Sequence, residues 1–317
     1  MSTKNKLLTI LTLSAGAAAS MACLNKYIQL SASSKNVLEN DFPSLCYRWR
    51  LGNIHYQKVG TGKPLLLIHD LNAISSSYEW KALVKPLSEH FTVYTIDLLG
   101  CGRSEKPNMT YTNYLYVQLI CDFIKSVIGR RTSVAASKAS APIALMACSC
   151  NSELFENLLL INPDSIQTCS QVPGKSAKLY KFILDLPLIG TFIYHISTSR
   201  QNIQTVFANE YFENPFSVHR TLIDAYYESS HLGVSPKSVY SSTVCHYTKC
   251  NILNALKKID NSIYILGCKS INEMEERLEE FKKYNPAIET TLLSEGKELP
   301  QLECPSAVLQ AINTYLY

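Results

Sequence analysis

Leu65-Leu66-Leu67-Ile68 places four aliphatic residues in a row with nothing polar between them. A strand with one wet face alternates apolar and polar residues, so an unbroken run demands burial on both faces. That is the condition of a strand inside a parallel sheet. Short apolar runs recur at residues 91–96, 134–136, 158–161, 263–266 and 290–293. Between them lie stretches with helical spacing: residues 79–87, 113–128, 143–148 and 305–317. Strand–helix–strand alternation predicts a mostly parallel sheet with helices on both faces. Ahead of it, residues 46–49 and 54–59 flank Leu51-Gly52-Asn53 and read as a half-buried β-hairpin. From about Gln167 to Tyr247 the strand pattern lapses into helical segments rich in aromatics, among them Tyr180, Phe192, Phe207 and Tyr211. Such an insertion between strands is a cap, which predicts a core of residues 43–165 and 251–317 with a cap of residues 166–250.

The ends and the composition bound the partners. A net charge of +4, without a long basic block, gives no footing for nucleic acid. Lys4 and Lys6 precede an uncharged run from Leu7 to Leu24, close to the shortest length that spans a bilayer. Residues 1–24 are therefore expected to be an N-terminal anchor, a cleaved signal peptide, or a lipoprotein signal ending at Cys23; a buried soluble helix is the remaining alternative. The basic residues before the run favour a tether on the membrane with the main domain outside. Residues 25–42 are polar and Ser/Asn-rich, which predicts a linker. The 11 cysteines pull against an oxidising exterior: the number is odd and no framework spacing repeats. Cys148-Ser149-Cys150 and Cys245…Cys250 lack further metal ligands nearby, no His-x-x-x-His occurs, and no metal or cofactor is expected.

Three segments carry a family resemblance. Residues 65–70, ending His69-Asp70, resemble the strand and His-Gly turn that opens the oxyanion region of α/β-hydrolases. Asp97-Leu98-Leu99-Gly100-Cys101-Gly102-Arg103-Ser104 matches that superfamily's Asp-x-x-Gly-x-Gly-x-Ser segment at every named position. Pro300-Gln301-Leu302-Glu303-Cys304-Pro305 is similar to the segment after the catalytic histidine. The resemblance covers roughly residues 45–317 and implies an α/β-hydrolase fold, a mostly parallel sheet flanked by helices, with a helical cap. It implies an architectural role for Asp97 and Ser104, as holders of a turn whose glycines allow positive φ.

The chemistry that the resemblance implies is incomplete. The family sets a nucleophilic Ser on a tight Gly-x-Ser-x-Gly turn between strand and helix. The matching stretch, residues 134–142, has no glycine, and either Ser137 or Ser140 could take the elbow, with Ser140 slightly preferred. Glu298 stands where the general-base His belongs, and no histidine follows His246. Ser270 stands at the site of the acid that orients the His. Asp164, in Asn162-Pro163-Asp164, reads as a turn residue. In the oxyanion region, His69, Asp70 and Leu71, Asp70 replaces glycine and sets a negative charge where one would develop. His195, His219, His231 and His246 lie in or beside the cap. Two functions follow: a membrane-tethered, catalytically degenerate protein that binds an apolar or amphipathic small molecule, or a weak esterase on a small acyl substrate with a base borrowed from His219 or His246.

Overall fold

The computed structural model describes residues 3–33, 36–39 and 42–317; side chains of residues 3–11, 13, 14, 29 and 33 lie outside that description. Eight strands form one sheet in the order β1-β2-β4-β3-β5-β6-β7-β8. They are β1 (Leu45–Trp49), β2 (Gly52–Val59), β3 (Lys63–Ile68), β4 (Phe91–Ile96), β5 (Thr132–Ser137), β6 (Phe155–Ile161), β7 (Ser262–Cys268) and β8 (Glu289–Leu293). The β1–β2 and β2–β4 pairs are antiparallel, and every pair from β4 to β8 is parallel. Leu65 to Ile68 are fully buried, as a central strand requires; each such side chain contributes about 1.5–3 kcal/mol by leaving water.

Fourteen α-helices accompany the sheet among the described residues. In chain order they are α1 (Thr3–Ser33), α2 (Lys81–Leu87), α3 (Asn113–Phe123) and α4 (Ala141–Cys150). The cap holds α5 (Ile166–Cys169), α6 (Lys175–Asp185), α7 (Ile189–Ser197), α8 (Arg200–Val206), α9 (Arg220–His231) and α10 (Pro236–Val244). The chain returns through α11 (Leu253–Lys258), α12 (Met274–Tyr284), α13 (Pro300–Glu303) and α14 (Pro305–Leu316). One core cluster packs β-sheet residues against α3 and α4; a second packs the other face, through Leu65, Leu67, Leu159 and Leu266, against α2 and α14. A third cluster is the cap's own, built on Phe207, Phe212, Tyr226 and Leu222.

The 97–104 segment is architecture, as the resemblance implies. Asp97 Oδ1 accepts from Ser77 N at 2.7 Å, Oδ2 accepts from Arg103 N at 2.9 Å, and Ser104 Oγ donates to Asp97 O at 2.5 Å. Gly102 sits at φ +50°, and a Cβ there would collide with the Asp97 carboxylate. Burial pushes that carboxyl upward, but the His55 ring 3.2 Å away and the Arg103 amide more than offset it and hold it well below the usual range.

The N-terminal region departs from the linker expectation. Helix α1 continues to Ser33, through the stretch read as loop, and packs Ile28 and Ala32 into the cap cluster. Beyond it, Val37 N and Leu38 N donate to Glu228 Oε2 at 2.7 and 3.4 Å. Polar composition alone hid the few apolar residues that dock it. The expected anchor, residues 1–24, falls within α1, and most of its leucine-rich start lies outside the described side chains. Among the described residues no single helix is long and apolar enough to cross a membrane.

Candidate functional site

The strand-to-helix turn after β5 is an elbow with Lys138 at its apex. Ser137 ends the strand with extended angles, φ −101° and ψ 144°, while Lys138 takes φ +45°. Such a φ is strained for a side chain other than glycine and persists only where its surroundings enforce it. Ala136 and Ser140 flank Lys138 two residues away on either side, so the small positions of the family's elbow centre on Lys138. Neither serine candidate is the apex. Ser137 is buried and its Oγ donates to Glu79 Oε2 at 2.9 Å; Ser140 is buried and its Oγ donates to His69 O at 2.6 Å.

Across the turn, Lys138 Nζ lies 2.7 Å from Glu298 Oε2. The residue at the elbow and the residue at the histidine's position are thus an ion pair. Glu298 is held from both sides. Its N–H donates to Tyr211 O at 3.0 Å, and Asn162 Nδ2 donates to Lys297 O at 2.6 Å and Glu298 O at 3.2 Å. Glu303 accepts from Lys297 N at 3.0 Å and Gly296 N donates to Glu213 Oε2 at 2.9 Å, tying the loop to the cap. Ser270, at the acid's position, donates its hydroxyl proton to Gly296 O. The Tyr211 ring lies over the ammonium, 4.4 Å from Nζ to its centroid.

The oxyanion region is occupied by the chain's own carboxylates. Ala139 N–H, next to the apex, donates to Asp70 Oδ1 at 3.1 Å. Asp70 N–H donates to the Glu79 carboxylate at 3.1 and 3.2 Å. These are the two places, after the elbow and after β3, from which the family draws its oxyanion donors. Burial raises the Asp70 carboxyl above its ordinary range, against the pull of Lys138 and the Ala139 amide. Burial and the adjacent Asp70 push Glu79 up to about 7. Gln301 Nε2 also donates to Glu79 Oε2, at 3.0 Å. His69 Nε2 accepts from Leu98 N at 3.0 Å, which fixes the proton on Nδ1, donated to Asp70 O at 2.7 Å. Leu71 is buried in the core cluster.

The chemistry follows from these bonds. Burial alone would lower the Lys138 pKa, but Tyr211, Asp70 and Glu298 outweigh it and hold the ammonium above its ordinary value. A protonated amine has no electron pair to attack with. Each serine's proton goes to an oxygen, the Glu79 carboxylate or the His69 backbone carbonyl, and not to an imidazole nitrogen. Among the described residues no hydrogen bond joins Ser137 or Ser140 to His219, which is exposed at the start of α9, or to His246, which sits in a turn at φ +65°. His195 and His231 stack on each other at 5.3 Å, and His195 Nε2 meets Asn25 Oδ1 of α1 at 2.9 Å. Asp164 pairs with Lys249. Among the described residues no group of three His, Cys, Asp or Glu side chains could hold a metal.

A cavity of about 160 Å³ opens elsewhere, between α1 and the cap, lined by Asn25, Tyr194, His195, His231, Val234 and Lys237. A polar surface cleft runs past Ser270, Arg277, Lys297 and Glu298.

Residues 65–311 match the sequence model of the alpha/beta hydrolase family. A hydrolase of 2-hydroxy-6-oxo-6-(2'-aminophenyl)hexa-2,4-dienoic acid from Metapseudomonas resinovorans is 28% identical over 142 residues, 44% of this chain and 47% of that protein. The chain therefore spans about half the length of that curated relative. Among solved structures, the carboxylesterase CesB of Bacillus subtilis superposes with a TM-score of 0.69 at 14% identity, over 94% of this chain and 98% of its own. A membrane phospholipase A described as a bacterial virulence factor superposes with a TM-score of 0.67 at 18% identity, over 98% of this chain and 96% of its own. At such identities the likeness speaks to the fold.

Proposed function

This chain belongs to the alpha/beta hydrolase family, and from that premise we propose that it is a member that does not hydrolyse: a membrane-tethered protein that keeps the fold to bind an apolar or amphipathic small molecule. The observation that carries the reading is the Lys138–Glu298 ion pair at 2.7 Å, which puts a cation at the nucleophile's place and its counter-ion at the base's. Removal of a single triad member from a working serine hydrolase costs about 10⁴–10⁶ in rate. Here the nucleophile, base and orienting acid are all replaced, and Asp70 holds the Ala139 amide that an oxyanion would need. The cavity beside Tyr194, Val234 and Lys237 pairs apolar walls with polar groups, which suits a small amphipathic molecule. The tether rests on the uncharged run from Leu7 to Leu24 and on the docking of α1 against the cap.

Two assays on the full chain test this. Turnover of p-nitrophenyl acyl esters should not exceed that of the heat-unfolded protein. Gentle ionisation of the purified chain should reveal a co-purifying small molecule that Thr191→Trp, at a half-buried position of the cavity's lining, excludes. Saturable turnover abolished by Ser137→Ala or Ser140→Ala would instead establish the weak-esterase reading.

A further inference from the structure

Helix α6 faces the wrong way round for water. It buries Lys181, whose ammonium donates to Asp185 Oδ2 at 2.6 Å and Ser241 Oγ at 3.4 Å. It turns Leu179 and Phe182 outward, 63% and 64% exposed. Helix α7 continues the ridge with Ile189, Phe192 and Ile196, each more than half exposed and spaced as one stripe. Soluble surfaces rarely carry so many large apolar side chains on two successive short helices. The ridge is built rigidly. The two helices meet at 97°, Lys237 Nζ donates to Asp185 O and Leu186 O at 3.1 and 2.8 Å, and at Gly190 a side chain would strike the Leu184 carbonyl. At 11 and 9 residues the helices are only about 16 and 14 Å long, too short to cross a bilayer.

Charge and continuity identify what covers the ridge. Lys175 and Lys178 are exposed on α6, whose one acidic residue, Asp185, is engaged by Lys181. Lys26 is exposed on α1 beside Asn25, the residue that bonds His195 of α7. N-terminal to that joint in α1 comes the uncharged run, with Leu24 half exposed; its 18 residues amount to about 27 Å, close to the hydrocarbon thickness of a bilayer. An apolar stripe with aromatics and flanking lysines is the composition of helices that lie in a lipid headgroup boundary.

We propose that the α6–α7 hairpin lies flat in the interface of an anionic lipid bilayer, ridge inward, and holds the cap against the membrane beside α1. The proposal is independent of the elbow's chemistry and adds a second contact to the tether, on which its geometry partly rests. The test places a reporter on the ridge. Phe192→Trp, and separately Ile189→Trp, are made in the full chain, where Trp49 and Trp80 are buried and give a constant background. Each variant is mixed with vesicles of phosphatidylcholine and phosphatidylglycerol, with and without brominated acyl chains. The added indole should shift to the blue and lose about half its emission or more to bromine, as a side chain seated just below the headgroups does. Vesicle-bound protein whose added indole stays red-shifted and unquenched overturns the docking while leaving the tether. A chain that binds no vesicles overturns both. An unquenched indole in a protein that sediments as a dimer assigns the ridge to a second copy of the chain, which also overturns the proposal.

Discussion

Lys138 Nζ stands 2.7 Å from Glu298 Oε2, and each occupies a position from which a working hydrolase would act on a substrate. The pair closes the two halves of the fold, the β5–α4 elbow and the loop before α13, through one contact that both side chains make while largely withdrawn from water.

Breaking that contact should cost stability in a coupled way. Lys138→Ala alone leaves Glu298 and Asp70 without the cation that both attract, and Glu298→Gln alone removes the counter-charge of the ammonium. In a double-mutant cycle read by urea unfolding, a coupling of about 1–2 kcal/mol is expected. Independent effects that simply add would show the pair to be incidental.

The elbow's angle makes a separate prediction. Glycine normally destabilises relative to alanine, but at φ +45° the order reverses, and Lys138→Gly should exceed Lys138→Ala by about 1 kcal/mol. Equal midpoints would mean that the turn relaxes when the ion pair is lost.

Gly102→Ala should be far more damaging. Its Cβ would enter the Asp97 carboxylate, which receives the Ser77 and Arg103 amides, at a φ already unfavourable for alanine. A loss of about 3 kcal/mol or more is expected, or failure to accumulate folded protein. A near-native melting midpoint would remove Asp97 from its role as the holder of the turn.

Stability should fall with rising pH because of Glu79. Its folded pKa of about 7 lies above the ordinary 4.5, so folding favours the protonated form. The stabilisation is complete below about pH 4.5 and is lost as pH rises through 7; Asp70, also raised, acts in the same sense. Glu79→Gln cannot ionise. Its melting midpoint relative to the wild type should therefore climb between pH 5 and pH 8.5, by the equivalent of about 2 kcal/mol. Parallel pH curves would contradict this.

Much of the fold could be read from the chain, because unbroken aliphatic runs such as Leu65 to Ile68 have few places to go other than the middle of a sheet. The Asp97–Ser104 segment was legible for a similar reason: its glycines answer a backbone demand that no side chain can meet. The elbow was not. Residues 135–137 and 139–141 are all small, so steric spacing admits three registers, and a search for a serine passes over Lys138, the one residue in that stretch that is not small. A signal was present in the opposite charges of Lys138 and Glu298 at two chemically altered positions. It becomes meaningful only when the fold brings residues 160 apart in sequence into contact. The reach of α1 past residue 24 was hidden for another reason, since Ile28 and Ala32 are too few to give a polar stretch an amphipathic pattern.

On the proposed reading, the elbow presents an ion-paired ammonium and no activated serine. Fluorophosphonate labelling of the full, folded chain, with the adduct located by mass mapping, tests it most directly. No adduct is expected on the wild-type protein, and labelling at position 138 is expected once Lys138→Ser, Glu298→His, Ser270→Asp and Asp70→Gly are combined. Stoichiometric labelling of wild-type protein at Ser137 or Ser140 would contradict it, whatever the engineered chain does.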